Sequence, residues 1–172
     1  MKQFLRLAGL LALCTLLASC TVTVRPGDVS VSGRVRFGIE VSDVIRVFEP
    51  TRGSGSVYLV GDSISFRVVT NRDGYITLIE LGPNGNVNTF VRNIYVRGGQ
   101  VNVISGPDNA NEFLLVPPRG LHRVRASFTP AQTSGRVIYR GSSGEDQWTE
   151  SIVTEVRDYD VRDIAETRFF LQ

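Results

Sequence analysis

From Val29 to Val41 apolar and polar residues alternate without a break. Val29, Val31, Val35, Phe37, Ile39 and Val41 take odd positions; Ser30, Ser32, Arg34, Arg36 and Glu40 take even ones. A period of two places successive side chains on opposite sides of an extended backbone. The pattern therefore specifies a β-strand with one buried face. Gly33 and Gly38 predict a bend or bulge within so long a strand.

The rest of the chain repeats this behaviour in shorter pieces. Val44 to Phe48 is an apolar run, followed by a loop from Glu49 to Ser56 rich in Gly and Ser. Ile64, Phe66, Val68 and Thr70 alternate with Ser65 and Arg67. The turn Asn71-Arg72-Asp73-Gly74 leads into Tyr75 to Leu81, which is apolar on both faces and belongs in the middle of a sheet. Gly82 to Asn86 is a second hairpin turn. Val87 to Val91, Ile94 to Arg97, Gln100 to Ile104 and Phe113 to Val116 are further strands, the last stopped by Pro117-Pro118. His122, Val124, Ala126 and Phe128 alternate with Arg123, Arg125 and Ser127; Arg136 to Arg140 and Trp148 to Arg157 read as late strands. At the end two readings stand. Either Asp160 caps a short helical turn through Ala165 before a strand from Thr167 to Leu171, or one helix runs from Val161 to Leu171. Many short strands separated by Gly, Pro and Asn turns predict an all-β chain. The expected fold is an antiparallel, immunoglobulin-like β-sandwich with at most one short helix near the C-terminus.

The first residues have a different character. Lys2 and Arg6 flank a basic start, Leu7 to Leu17 is apolar, and Ala18-Ser19 precede Cys20. This is the layout of a secretory signal, too short for a membrane-spanning helix of about 20 residues. It resembles the lipobox of bacterial lipoproteins. The resemblance implies that residues 1–19 are removed and that Cys20 is acylated as the new N-terminus. The anchor would be stable, because two or more acyl chains hold where one does not. Cys14 follows the bulky Leu13 and would end the apolar run too soon. Thr21, in place of an Asp, points to the outer membrane. Residues 20–28 then form the lipidated cysteine and a short tether, with Thr21 to Asp28 reaching at most about 27 Å. Residues 29–172 form a single domain.

The chain has 19 Lys and Arg against 17 Asp and Glu, and Lys2 and Arg6 account for the excess. A mature chain of balanced charge argues against nucleic-acid binding. With Cys20 acylated no disulfide is expected. A single histidine, His122, excludes multi-histidine metal sites and makes a Ser-His-Asp or Cys-His site improbable.

The segment from Ser42 to Leu171 resembles an envelope family known as domain of unknown function 4384. The resemblance is carried by Tyr58-Leu59-Val60-Gly61-Asp62, Asp73-Gly74-Tyr75-Ile76-Thr77-Leu78, Gly82-Pro83-Asn84-Gly85, and Pro118-Arg119-Gly120 entering the strand to Phe128. Asp43 to Gly53 also looks like lipoproteins of this type. The resemblance implies a β-sandwich module on envelope proteins and supplies no catalytic residues.

Arg119, His122, Arg123 and Arg125 form the densest basic stretch, with no acid between Pro117 and Thr129. Two readings apply: a face that grips phosphate or carboxylate of envelope lipid or glycan, or a strand face paired with acids of its neighbour. His122 is either a hydrogen-bonded strand-edge residue or a lone pH sensor. Asp158, Asp160 and Asp163, and separately Asp108 with Glu112, are acidic groupings that would suit Ca²⁺ but lack EF-hand spacing. No metal ligand set and no cofactor other than the lipid is expected. The expected function is non-enzymatic: a lipid-anchored envelope protein that docks to or supports an outer-membrane protein, a surface layer or a secretion or pilus assembly. The alternative is a binding module using the Arg119–Arg125 face.

Overall fold

The computed structural model describes residues 34–106, 112–135 and 144–172. The signal, Cys20, the tether, the start of the first alternating run and the Arg136–Arg140 strand lie outside the described residues, as does most of the Asp108–Glu112 grouping.

From Arg34 onward the first alternating run is a hairpin, not one strand. β1 (Arg34–Arg36) and β2 (Ile39–Val41) pair antiparallel. Phe37 and Gly38 turn between them with φ of 51° and 80°. Two successive left-handed residues make the tight connection that matches strand twist. Alternation persists across such a turn, so the pattern did not reveal the reversal.

Two sheets face each other, as the expected β-sandwich requires. The larger has the order β4 (Val57–Tyr58), β12 (Asp163–Leu171), β11 (Gly120–Thr129), β7 (Gly74–Leu81), β8 (Val87–Val96). Its pairs are antiparallel except β12 with β4. The smaller is β3 (Ile45–Pro50), β6 (Phe66–Thr70), β9 (Val101–Ile104). A short ribbon of β5 (Ser63–Ile64) with β10 (Phe113–Leu114) closes one end. Between the sheets lie Phe66, Val68, Ile76, Leu78, Val124, Ala126, Phe128 and Phe169, all fully buried. Each such side chain contributes roughly 1.5–3 kcal/mol by leaving water.

The apolar character of Tyr75–Leu81 on both faces has its expected cause: β7 is central, and its second face is covered too. Ile79, Leu81 and Ile164 on the outer side pack under α1 (Gly144–Val156). This corrects the strand expected over Trp148–Arg157. Trp148, Ile152 and Val156 recur every fourth residue and point at the sheet, with Glu145 and Asp146 in the first turn. The β-branched Ile152, Val153, Thr154 and Val156 suggested a strand by propensity, but the four-residue spacing and the need to cover Ile79 prevailed.

In the last segment the strand expected over Thr167–Leu171 is present, but β12 starts already at Asp163, so neither the helical turn before it nor a helix over Val161–Leu171 forms. Asp163 is fully buried, and its carboxylate accepts the Ile45 N–H at 2.7 Å and its own neighbour's, Ile164 N–H, at 2.8 Å. It thereby ties β12 to β3.

The two runs Val87–Val91 and Ile94–Arg97 join in one strand, β8, with one register shift opposite Thr77 and a second between Leu78 and Ile79. Opposite Thr77, Asn93 adopts φ 55°, and its side chain brackets Thr133 by accepting the N–H and donating to the carbonyl.

Candidate functional site

β11 carries the basic stretch, and its alternation divides that stretch between two faces. His122 points toward the sandwich core with Val124, while Arg123 and Arg125 point to the outer face beneath α1. The expected single basic face over Arg119–Arg125 is corrected accordingly. Arg119, just before β11, is exposed and has no side-chain partner among the described residues.

The two outer arginines are held by acids from neighbouring elements. Glu166 of β12, directly across from Arg125, accepts from Arg125 Nε and Arg123 Nε, each at 2.8 Å. Glu145 at the start of α1 accepts from Arg123 at 3.0 Å. These carboxylates hold the Arg123 guanidinium above its ordinary pKa, and Arg123 holds Glu145 below its own. Arg125 is only 1% exposed; burial pushes its pKa down, against the pull of Glu166. Its plane lies between the rings of Trp148 and Phe37, and Nη1 donates to Thr149 at 2.8 Å. One side chain thus joins the β1–β2 hairpin, α1 and β12. This is a structural use of arginine planarity.

His122 stacks on Phe169 at 4.9 Å. Its Nε2 contacts Pro118 O at 2.9 Å and its Nδ1 contacts a Glu80 carboxylate oxygen. A carbonyl only accepts, so Nε2 is the donor to Pro118. Both ring nitrogens are occupied, which makes His122 a clasp between the Pro118 segment and the sheet.

The outer face has a second feature. Leu121, Phe170 and Val57 are register partners across β11, β12 and β4. They are 37%, 41% and 49% exposed, and Leu59 two residues on is 59% exposed. The next row of the face holds Arg168, exposed and with no side-chain partner among the described residues. Helix α1 covers the far end of this face and leaves this end open.

Among the described residues no three His, Cys, Asp or Glu side chains converge as metal ligands. Asp163 faces inward onto backbone N–H groups, so the Asp158–Asp163 grouping does not form a common oxygen cage. Glu155 is buried and bound to Arg92 and Thr133, while Glu150 is exposed. No helix among the described residues is long and apolar enough to cross a membrane.

The sequence model of a family described as Domain of unknown function (DUF4384) matches residues 57–132. This stretch runs from β4 through β11 and includes the Tyr58–Asp62, Asp73–Leu78, Gly82–Gly85 and Pro118–Gly120 motifs. Residues 57–132 are similar to this family. The match is narrower than the Ser42–Leu171 resemblance. The DUF4384 segment does not build the large sheet by itself, because β12 lies outside it yet sits between β4 and β11. No curated protein and no solved structure matches the chain.

Sequence reasoning missed Glu80, Glu145, Glu166 and the Leu121–Phe170–Val57 row. Glu80 had a signal, as the lone charge within an apolar strand. The others depend on cross-strand register, which a single sequence does not specify.

Proposed function

We propose that this chain is a non-enzymatic, lipid-anchored protein of the outer membrane that docks another envelope protein with the open end of its large sheet. The anchor is Cys20, supported by the lipobox-like sequence. The docking surface is the row Leu121–Phe170–Val57 with Leu59 just past β4, and the observation that carries the reading is the exposure of these four side chains, three of them on adjacent strands. A contiguous apolar patch with an aromatic at its centre suits a protein interface. Arg168, exposed and without a side-chain partner among the described residues, borders it in the next row. The complementary partner is a protein surface with an aliphatic groove and carboxylates at its rim. The short tether would keep the head near the membrane, so the partner is itself membrane-embedded or membrane-bound.

The test is site-specific photocrosslinking in intact envelopes, with the reactive residue at position 170 or, on the opposite sheet, at exposed Val103. The expected result is one protein adduct at constant ratio from position 170, reduced by Arg168→Glu and absent from position 103. Adducts to lipid alone, equal adducts from both positions, or no protein adduct from position 170 would overturn the reading.

A further inference from the structure

A cleft of about 300 Å³ opens between the β7–β8 hairpin and the segment 114–118. Its floor is polar. Glu80 registers with Asn88 on β8 and Val124 on β11, so its side chain faces the sandwich side, where it is 13% exposed. His122 occupies one carboxylate oxygen; the other has no hydrogen bond among the described residues. The side-chain amides of Asn86 and Asn88 are likewise unoccupied, whereas Asn84 Oδ1 accepts the Asn86 N–H at 3.1 Å and shapes the turn. The opposite wall is apolar, with Leu115 buried and Val116 66% exposed. His122 fixes both walls at once through Glu80 and Pro118.

The lining selects among ligand classes. Among the described residues it contains no arginine or lysine to balance an anion. Glu80 is the one carboxylate in the lining and His122 already occupies one of its oxygens, which leaves an ammonium ion a single carboxylate oxygen. A single carboxylate does not make a divalent-cation site. A wholly apolar ligand would bury Glu80 and two amides without partners, which costs more than it gains. A neutral ring bearing several hydroxyl groups satisfies every group: hydroxyls donate to Glu80 and exchange hydrogen bonds with the amides, and the C–H face lies on Val116 and Pro117. The volume sits at the small end of the range for ligand pockets.

We propose that this cleft binds a neutral sugar ring, free or at the end of a glycan chain. The inference does not rest on the docking reading, since the cleft lies on the sandwich side of the large sheet and the exposed row on its outer side.

The test uses the full-length protein in mild detergent. Saturation-transfer NMR is recorded with glucose, galactose and N-acetylglucosamine, and with an oligomer of N-acetylglucosamine. Transfer to the ring protons of at least one neutral sugar is expected. Asn88→Ala should weaken it roughly three- to tenfold, the loss of one or two net hydrogen bonds. Val116→Arg, at an exposed position that folding does not need, should abolish it. Transfer to monosaccharide and oligomer alike assigns the site to a free sugar ring, and transfer to the oligomer alone assigns it to a glycan terminus. No transfer from any probe, undiminished transfer with Val116→Arg, or stronger binding of glucuronate than of the neutral sugars would overturn the proposal.

Discussion

Arg125 stacks on Trp148 with its guanidinium carbon 3.7 Å from the centre of the indole ring, at the point where sheet, helix and N-terminal hairpin meet. Removing it leaves a void between two rings and takes away one of the two arginine partners of Glu166. Arg125→Ala should cost about 3 kcal/mol. Arg125→Lys should recover little, because an ammonium cannot fill a slot between two planes. Urea-unfolding midpoints of the three proteins check this; full recovery by lysine would contradict it.

Asp163 predicts a second loss. Its carboxylate accepts two buried backbone N–H groups, from Ile45 and Ile164. Asp163→Ala orphans both and should cost about 3 kcal/mol. Asp163→Asn keeps one accepting oxygen but aims an amide at the second N–H, so it should fall between wild type and alanine. Thermal unfolding by calorimetry orders the three.

Asp73 links pH to the joint between two turns. It accepts the Gly98 N–H at 2.8 Å and the Tyr95 hydroxyl at 2.9 Å. The Gly98 N–H first, then Tyr95, hold its carboxyl below the usual range, and Asp73 pushes the Tyr95 phenol above its own. A lowered carboxylate stabilises the fold above its unfolded pKa and loses that contribution as pH falls below about 4. A raised phenol stabilises below its unfolded pKa and loses that contribution as pH rises above about 10. Urea midpoints plotted against pH should therefore fall less steeply at both ends in Asp73→Asn than in wild type. The same joint explains Gly98: a Cβ there would lie 2.5 Å from Arg72 Cα, so Gly98→Ala should destabilise the joint.

The Glu80–His122 clasp should behave as a unit. His122→Phe keeps the stack on Phe169 but strands Glu80, and Glu80→Leu strands His122. A double-mutant cycle on unfolding free energies should give a coupling of about 1–3 kcal/mol. Additive losses would show that the two residues act independently.

Phe66–Thr70 and His122–Phe128 were legible from local alternation and Tyr75–Leu81 from its two apolar faces, but the run from Ile64 breaks at Ser65 and leaves Ile64 in β5 of the end ribbon. The first hairpin was hidden because alternation survives a two-residue turn. The helix was hidden because β-branched residues overlay the spacing of Trp148, Ile152 and Val156. The basic stretch was visible in composition, but its division between two faces and its pairing with Glu145 and Glu166 come from register over long separations. The exposed row was illegible for the same reason: Val57, Leu121 and Phe170 meet only through three-strand pairing.

The central claim is an anchored head that docks through this row. The most direct measurement is mass spectrometry of the protein extracted from native envelopes in mild detergent, wild type beside Phe170→Glu. The account predicts a wild-type chain beginning at an acylated Cys20 and accompanied by a second protein at constant ratio, with the partner lost and the lipid kept in Phe170→Glu. A chain without lipid on Cys20, or a lipidated chain that comes alone or keeps its partner despite Phe170→Glu, would contradict it.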